Sequence, residues 1–420
     1  MTERSDAEAR VLAALDEDAL VDSLAAMVRV PSVTGSAAEG EVLDLLAGWC
    51  GDAGLVVDRH EDDLDDLRAA DGFPGTEAPR ASVPGLVATT PGEGVPALVL
   101  QGHVDVVPPG DPVLWADGDP WSARVESGRM HGRGACDMKA GLAVNLAVAG
   151  ALHRSGIRPS GRLALHAVAG EEDGGVGAFA LLRRGHTGRA CVITEPTAGA
   201  CVTANAGALT FRIEVTGRAA HASTRWEGVS AVDAFGAVHD ALRSLEAERN
   251  TDPPDLFAGV PLPYAISEGT LHAGDWASTV PDRLVAEGRM GVRLGEDPAR
   301  AREALEDAVG VAAAAHPWLR GHPPVVTWPG GLFASGRLPE AHPLAREVAA
   351  AAVTAGAPAP RVSAAPYGSD LRLYAAAGIP TLQYGPGDVR LAHSTRESVA
   401  LDEVVAVARA LVVLAVRRLG

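Results

Sequence analysis

The chain has 420 residues, 47% hydrophobic and 21% charged, enough for two domains or one with an insertion and too apolar for global disorder. Lys and Arg total 36 against 54 Asp and Glu, a net charge of −18; such a surface repels phosphate backbones and anionic lipid, which excludes nucleic-acid and membrane-surface partners. Cys50, Cys136, Cys191 and Cys201 are scattered and form no CxxC pair, which excludes a disulfide framework and reads as reduced, buried thiols of a cytoplasmic protein.

The polar start, MTERSDAEAR, carries no apolar leader core, and no run reaches the ~18 apolar residues of a membrane span. Helical spacing runs from Asp16 to Val30 and again from Ala37 to Ala53. The stretch from His60 to Gly94, acidic and then rich in Pro and Gly, is expected to be loop, with the DDLDD run a solvated face. ALVLQGHVDVV, RLALHAVAGEED and ACVITEPT then repeat one design: an apolar run, followed by polar residues. Such runs are buried strands, and the Ala- and Leu-rich helix Lys139 to His153 lies between the first two. Strand–helix alternation predicts an α/β fold with a mostly parallel sheet. Ligands of such sheets bind beyond the carboxyl ends of the strands, where His103, Asp105, Glu171, Glu172 and Glu195 all fall.

From about Gly199 the pattern alternates, as in LTFRIEVTG. A helix over Val229 to Glu248, strands near Ser267 to His272 and Leu284 to Leu294, and a helix over Pro298 to Ala315 complete a β-α-β-β-α-β order, the mark of a ferredoxin-like unit. The expected organisation is therefore a discontinuous catalytic domain, 1–200 and 325–420, with an inserted α+β domain at 201–324. The stretch Val404 to Leu419 reads as an amphipathic core helix.

The chemistry rests on His103, Asp137, Glu172, Glu195 and His393. Two imidazoles and three carboxylates suit zinc, cobalt or manganese better than calcium or magnesium. Two ions need a bridge, which a carboxylate such as Asp137 can provide; each ion then has a His, a Glu and the shared Asp. Glu171, directly before Glu172, is placed to act as base towards a water. Asp105, two residues after His103, can reach the other imidazole nitrogen and set its tautomer. A lone buried histidine is more often satisfied by a hydrogen bond, and a Glu–Glu pair is more often a solvated turn. It is the joint pattern that favours the metal. A structural zinc site is disfavoured because such sites usually fill all four positions with Cys and His.

In these motifs the chain resembles the family of aminoacylase, acetylornithine deacetylase, succinyl-diaminopimelate desuccinylase and carboxypeptidase G. GHVDVVP, GRGACDMKAG, GEED, ITEPT and AHSTRE occur in the family's order, and the resemblance spans nearly the whole chain. It implies two zinc ions per subunit, with cobalt or manganese as substitutes. His103, Asp137 and Glu195 would hold one, and Asp137, Glu172 and His393 the other. It implies a zinc-hydrolase catalytic domain, an inserted lid through which members often dimerise, and a cis bond at Asp137–Met138. By the same resemblance His221, in GRAAHAS, steadies the oxyanion, often from the partner subunit, while Arg293, Gly368 and Ser369 contact substrate. Ser278 stands where many members carry an asparagine. The implied reaction is hydrolysis of a small amide, foremost an N-acyl amino acid, with a dipeptidase or carboxypeptidase as the nearest rival. GDWASTVPDR also resembles deacylases that include a formylaminopyrimidine deformylase. A non-catalytic binding protein on the same scaffold would lack the base or a ligand, and none is missing.

Overall fold

The computed structural model describes residues 5–420, which divide into two compact units. The first comprises residues 5–204, Arg337–Ser363 and Asp370–Gly420; the second comprises Asn205–Gly336 and Ala364–Ser369.

The sheet of the first unit runs in the order Val56–Asp63, Ser82–Thr89, Leu163–Val168, Leu98–His103, Cys191–Ile193, Thr381–Gln383, Cys201–Asn205. The middle strands, from Leu163–Val168 through Thr381–Gln383, are parallel. The flanking pairings are antiparallel. Side chains alternate between two faces. Leu98, Leu100, Leu163 and Leu165 join the larger core beneath the helices Glu17–Val28, Ala38–Asp52, Lys139–Ser155, Leu344–Ala355 and Leu401–Leu419. Val99, Ala164, Val168, Cys191 and Ile193 join the opposite core under Val176–Arg183 and Leu371–Ala376. Covering both faces explains why LVLQGH and LALHAV are buried throughout.

The stretch expected to be loop is loop at 69–81 and 90–94 but is otherwise structured. Val56–Asp63 and Ser82–Thr89 are strands, and DDLDD falls on the end of the first and the helix Leu64–Arg68. Pro84 and Gly85 look like breakers in sequence. The ladder between Ser82–Thr89 and Leu163–Val168 begins only at Gly85, so Pro84 owes that neighbour no N–H.

The second unit has the antiparallel sheet order Ile266–Ala273, Arg283–Val292, Gly207–Thr216, Val325–Thr327. The helices Ala231–Arg249 and Pro298–Ala315 pack over it around Phe211, Ile213, Val238, Leu242, Leu305 and Val309. This is the ferredoxin-like order. Among the described residues, no helix is long and apolar enough to cross a membrane.

Candidate metal centre

Four loops meet beyond the carboxyl ends of the parallel strands. His103 ends its own strand and is buried. Its Nε2 lies 3.2 Å from Asp137 Oδ1 and 3.9 Å from Glu195 Oε2. The other oxygen of Asp137, Oδ2, lies 3.4 Å from His393 Nε2, which is 3.0 Å from Glu172 Oε1. Asp137 thus turns one oxygen to each half of the site. Single donor atoms of His103, Asp137 and Glu172, and likewise of His103, Glu171 and Glu195, lie within 4.8 Å of one another. His393 holds φ at +60°, a left-handed conformation that histidine adopts more readily than most residues.

Asp105 organises two of these loops. His103 Nδ1 is 2.9 Å from the Asp105 carbonyl oxygen and 3.6 Å from its carboxylate. The carboxylate itself accepts from the backbone N–H of Glu171 at 3.1 Å and of Glu172 at 3.2 Å, and from Thr34 Oγ1 at 3.0 Å.

Charges in so small a volume move each other's titration. Burial opposes the charge on His103, but bonds to Asp105 and Asp137 outweigh it and raise its pKa. Burial likewise opposes ionisation of Asp137, yet the bonds from His103 and His393 hold it below the ordinary carboxylate range. Glu171 and Glu195 are pushed well above that range, first by burial, with the negative charge of neighbouring carboxylates adding to the shift. Four clustered carboxylates with two imidazoles carry excess negative charge in a mostly buried pocket. The donor set fits divalent cations, which would neutralise that charge.

Several supporting residues had no role from sequence. Glu397, four residues after His393, is buried; its Oε1 accepts from the N–H of Gly134 at 2.9 Å and of Cys136 and Asp137 at 3.1 Å. Its Oε2 pairs with Arg133. Burial lifts its pKa to about 7 against the pull of that guanidinium. Asp173 of GEED accepts from Thr76 Oγ1, Glu77 N and Ala78 N, which ties the Glu171–Glu172 turn to the 76–78 loop. Lys139 is buried, donates to the carbonyls of Met27 at 2.9 Å and Val30 at 2.8 Å, and is lowered by burial to about 7. Such residues hold backbone, and only the folded loops reveal which backbone needs holding. Cys136 is buried, its pKa raised first by that burial. The Asp137–Met138 peptide is cis.

The remaining sequence candidates belong to the second unit. His221 caps the short turn Ala222–Glu227, its Nδ1 2.8 Å from Ser223 Oγ and accepting from Ser223 N at 3.2 Å. Arg293 donates from Nε to the Arg249 carbonyl and from Nη2 to that of Glu248, both at 3.1 Å, at the end of the helix Ala231–Arg249. Gly368 lies so close to Phe333 that a Cβ would stand 2.5 Å from its side chain, and Ser369 is buried.

Residues 99–417 match the model of peptidase family M20/M25/M40. The chain is 34% identical over 253 residues to a succinyl-diaminopimelate desuccinylase of Methylobacterium sp. (strain 4-46), a match over 59% of this chain and 56% of that one; it thus spans just over half that relative's length. It is 25% identical to an N-formyl-4-amino-5-aminomethyl-2-methylpyrimidine deformylase of Bacillus subtilis (strain 168), over 86% of this chain and 85% of the relative. Its fold is similar to that of the di-peptidase Dug1p of Saccharomyces cerevisiae, with a TM-score of 0.79, 13% identity and 98% of each chain covered. The family match covers most of the chain and includes His103, Asp137, Glu171, Glu172, Glu195 and His393: the chain belongs to peptidase family M20/M25/M40.

Proposed function

We propose that the chain is a dinuclear zinc deacylase that releases a small amine from its N-acyl form, foremost an N-acyl amino acid. The observation that carries this is the placement of Asp137, with Oδ1 facing His103 and Oδ2 facing His393. His103, Asp137 and Glu195 would hold one ion, and Asp137, Glu172 and His393 the other; cobalt or manganese can replace zinc in such a donor set. When bound, paired ions of this kind polarise a carbonyl and acidify water.

The chain's own residues do the rest. Glu171 takes a proton from the attacking water and delivers it to the leaving amine. Asp105 fixes the His103 ring and, through two backbone N–H groups, the turn that aims Glu171. His221 donates to the developing oxyanion, a contribution of about 3 kcal/mol. Arg293, Gly368 and Ser369 contact the substrate. Two of the five N–H donors of Arg293 serve the helix end, so a carboxylate would use the others. In this scheme residues 1–200 and 325–420 carry the chemistry, and residues 201–324 form the lid and the homodimer contact of a cytoplasmic enzyme. Two relatives at the level of sequence are named for removing acyl groups, one succinyl and one formyl.

The zinc-loaded chain should be incubated with N-acyl amino acids, formylated amines and dipeptides, with products read by mass spectrometry. Release of free amine from an N-acyl compound is expected. Cleavage of dipeptides alone would refute the deacylase assignment.

A further inference from the structure

Asp58, His60 and Asp62 alternate along the strand Val56–Asp63 and share one face of the sheet. The residue paired with His60 is Gly85, where a Cβ would stand 2.6 Å from His60 Nε2. The missing side chain makes room for the imidazole. That side chain is 4% exposed, and its Nδ1 is buried with no hydrogen-bond partner among the described residues. His186 enters from the turn after Val176–Arg183, where Gly185 takes φ +87°. Its ring stacks on His60 with centroids 5.9 Å apart.

The donor atoms converge. His186 Nε2 is 3.2 Å from Asp58 Oδ2, and His60 Nδ1 is 3.9 Å from Asp58 Oδ1. One donor atom each of Asp58, His60 and His186 lies within 4.8 Å of the others. Neighbouring donors around a tetrahedral zinc ion stand about 3.3–3.6 Å apart, so small side-chain movements would close the set. Arg184 pairs with Asp62 at 2.9 Å, which leaves the Asp58 charge available to a cation. Burial lowers the pKa of both histidines and favours the neutral, ligating form. A cleft of about 390 Å³, lined in part by Asp58, His166 and His186, gives solvent a path to the remaining coordination positions.

We propose that Asp58, His60 and His186 form a further metal site, sharing no residue with the candidate centre, that takes one divalent transition ion of the zinc class. The ion would tie the turn after Val176–Arg183 to Val56–Asp63, the first strand in the sheet order. Imidazole and carboxylate donors favour zinc, cobalt, nickel or copper over calcium and magnesium.

The test compares zinc retained by the chelator-stripped, reloaded full-length chain with that retained by His186→Ala and Asp58→Asn, at one micromolar-range free zinc level. Circular dichroism checks folding, and the exposed His272→Ala is the control. A natively folded variant should retain one equivalent fewer than the unsubstituted chain and lose part of the zinc-induced rise in Tm, while the control retains the full complement. Equal zinc in the unsubstituted chain and both variants would overturn the proposal. So would the same deficit in the His272→Ala control, which would mark adventitious surface binding.

Discussion

Asp137 and Asp105 are both aspartates a few residues from a strand end, yet they do different things. Asp137 presents its two oxygens to two histidines; Asp105 presents its own to two backbone N–H groups and a hydroxyl. Asp105→Asn would turn an NH2 towards at least one donor. A loss of about 10–100-fold in metal affinity or activity is expected, measured by competition with a chromogenic chelator. Glu171→Gln keeps the shape and removes the base. Turnover should fall by about 10²–10⁴-fold with metal content unchanged, checked by kcat and metal analysis on one preparation. The metal-ligand types were legible in sequence because few other roles gather His, Asp and Glu at successive strand ends. Glu397, Asp173 and Thr34 were not, because hydrogen bonds to the backbone and side chains of distant loops leave no pattern along the chain. Glu397→Gln should destabilise the chain by about 3 kcal/mol, since Arg133 would lose its buried countercharge; urea unfolding reads this directly.

Among the elements, the parallel strands and the long helices stood out by period. Pro298–Ala315 and Lys139–Ser155 begin where their sequences indicate, the first with Asp297 capping Ala299 N and Pro298 in the first turn. The strands Val56–Asp63 and Ser82–Thr89 were hidden. Acidic residues on the first and Pro-Gly in the second mimic loop, and only the pairing of each with its neighbour reveals them. Gly141, in the first turn of Lys139–Ser155, shows how closely these elements approach: a Cβ there would stand 2.1 Å from the Thr194 carbonyl oxygen, next to Glu195. Gly141→Ala should cost about 1–3 kcal/mol through overpacking and lower zinc affinity as the Glu195 loop shifts. Thermal unfolding with and without zinc separates the two effects.

At the scale of the whole molecule, the four cysteines report on how tightly the first unit is closed. All are buried, and burial pushes the thiols of Cys50 and Cys201 up to about 12. The unfolded chain releases these protons near pH 9, before the folded one, so their contribution to stability is present below pH 9 and lost as pH rises towards 12. The native protein should therefore resist thiol alkylation at pH 8, and the urea-unfolded chain should take up four labels, counted by mass spectrometry. The α/β and ferredoxin-like units were visible in the order of patterned segments, as were the motifs that place the chain in its family. The substrate was not, because it is chosen by loops whose residues carry no fixed chemistry. The most direct test of metal-dependent amide hydrolysis is the rate of amine release from an N-acyl amino acid before chelation, after chelation, and after zinc is restored. Loss on chelation and recovery with zinc is the expected result. An undiminished rate in protein shown to be free of metal would contradict it.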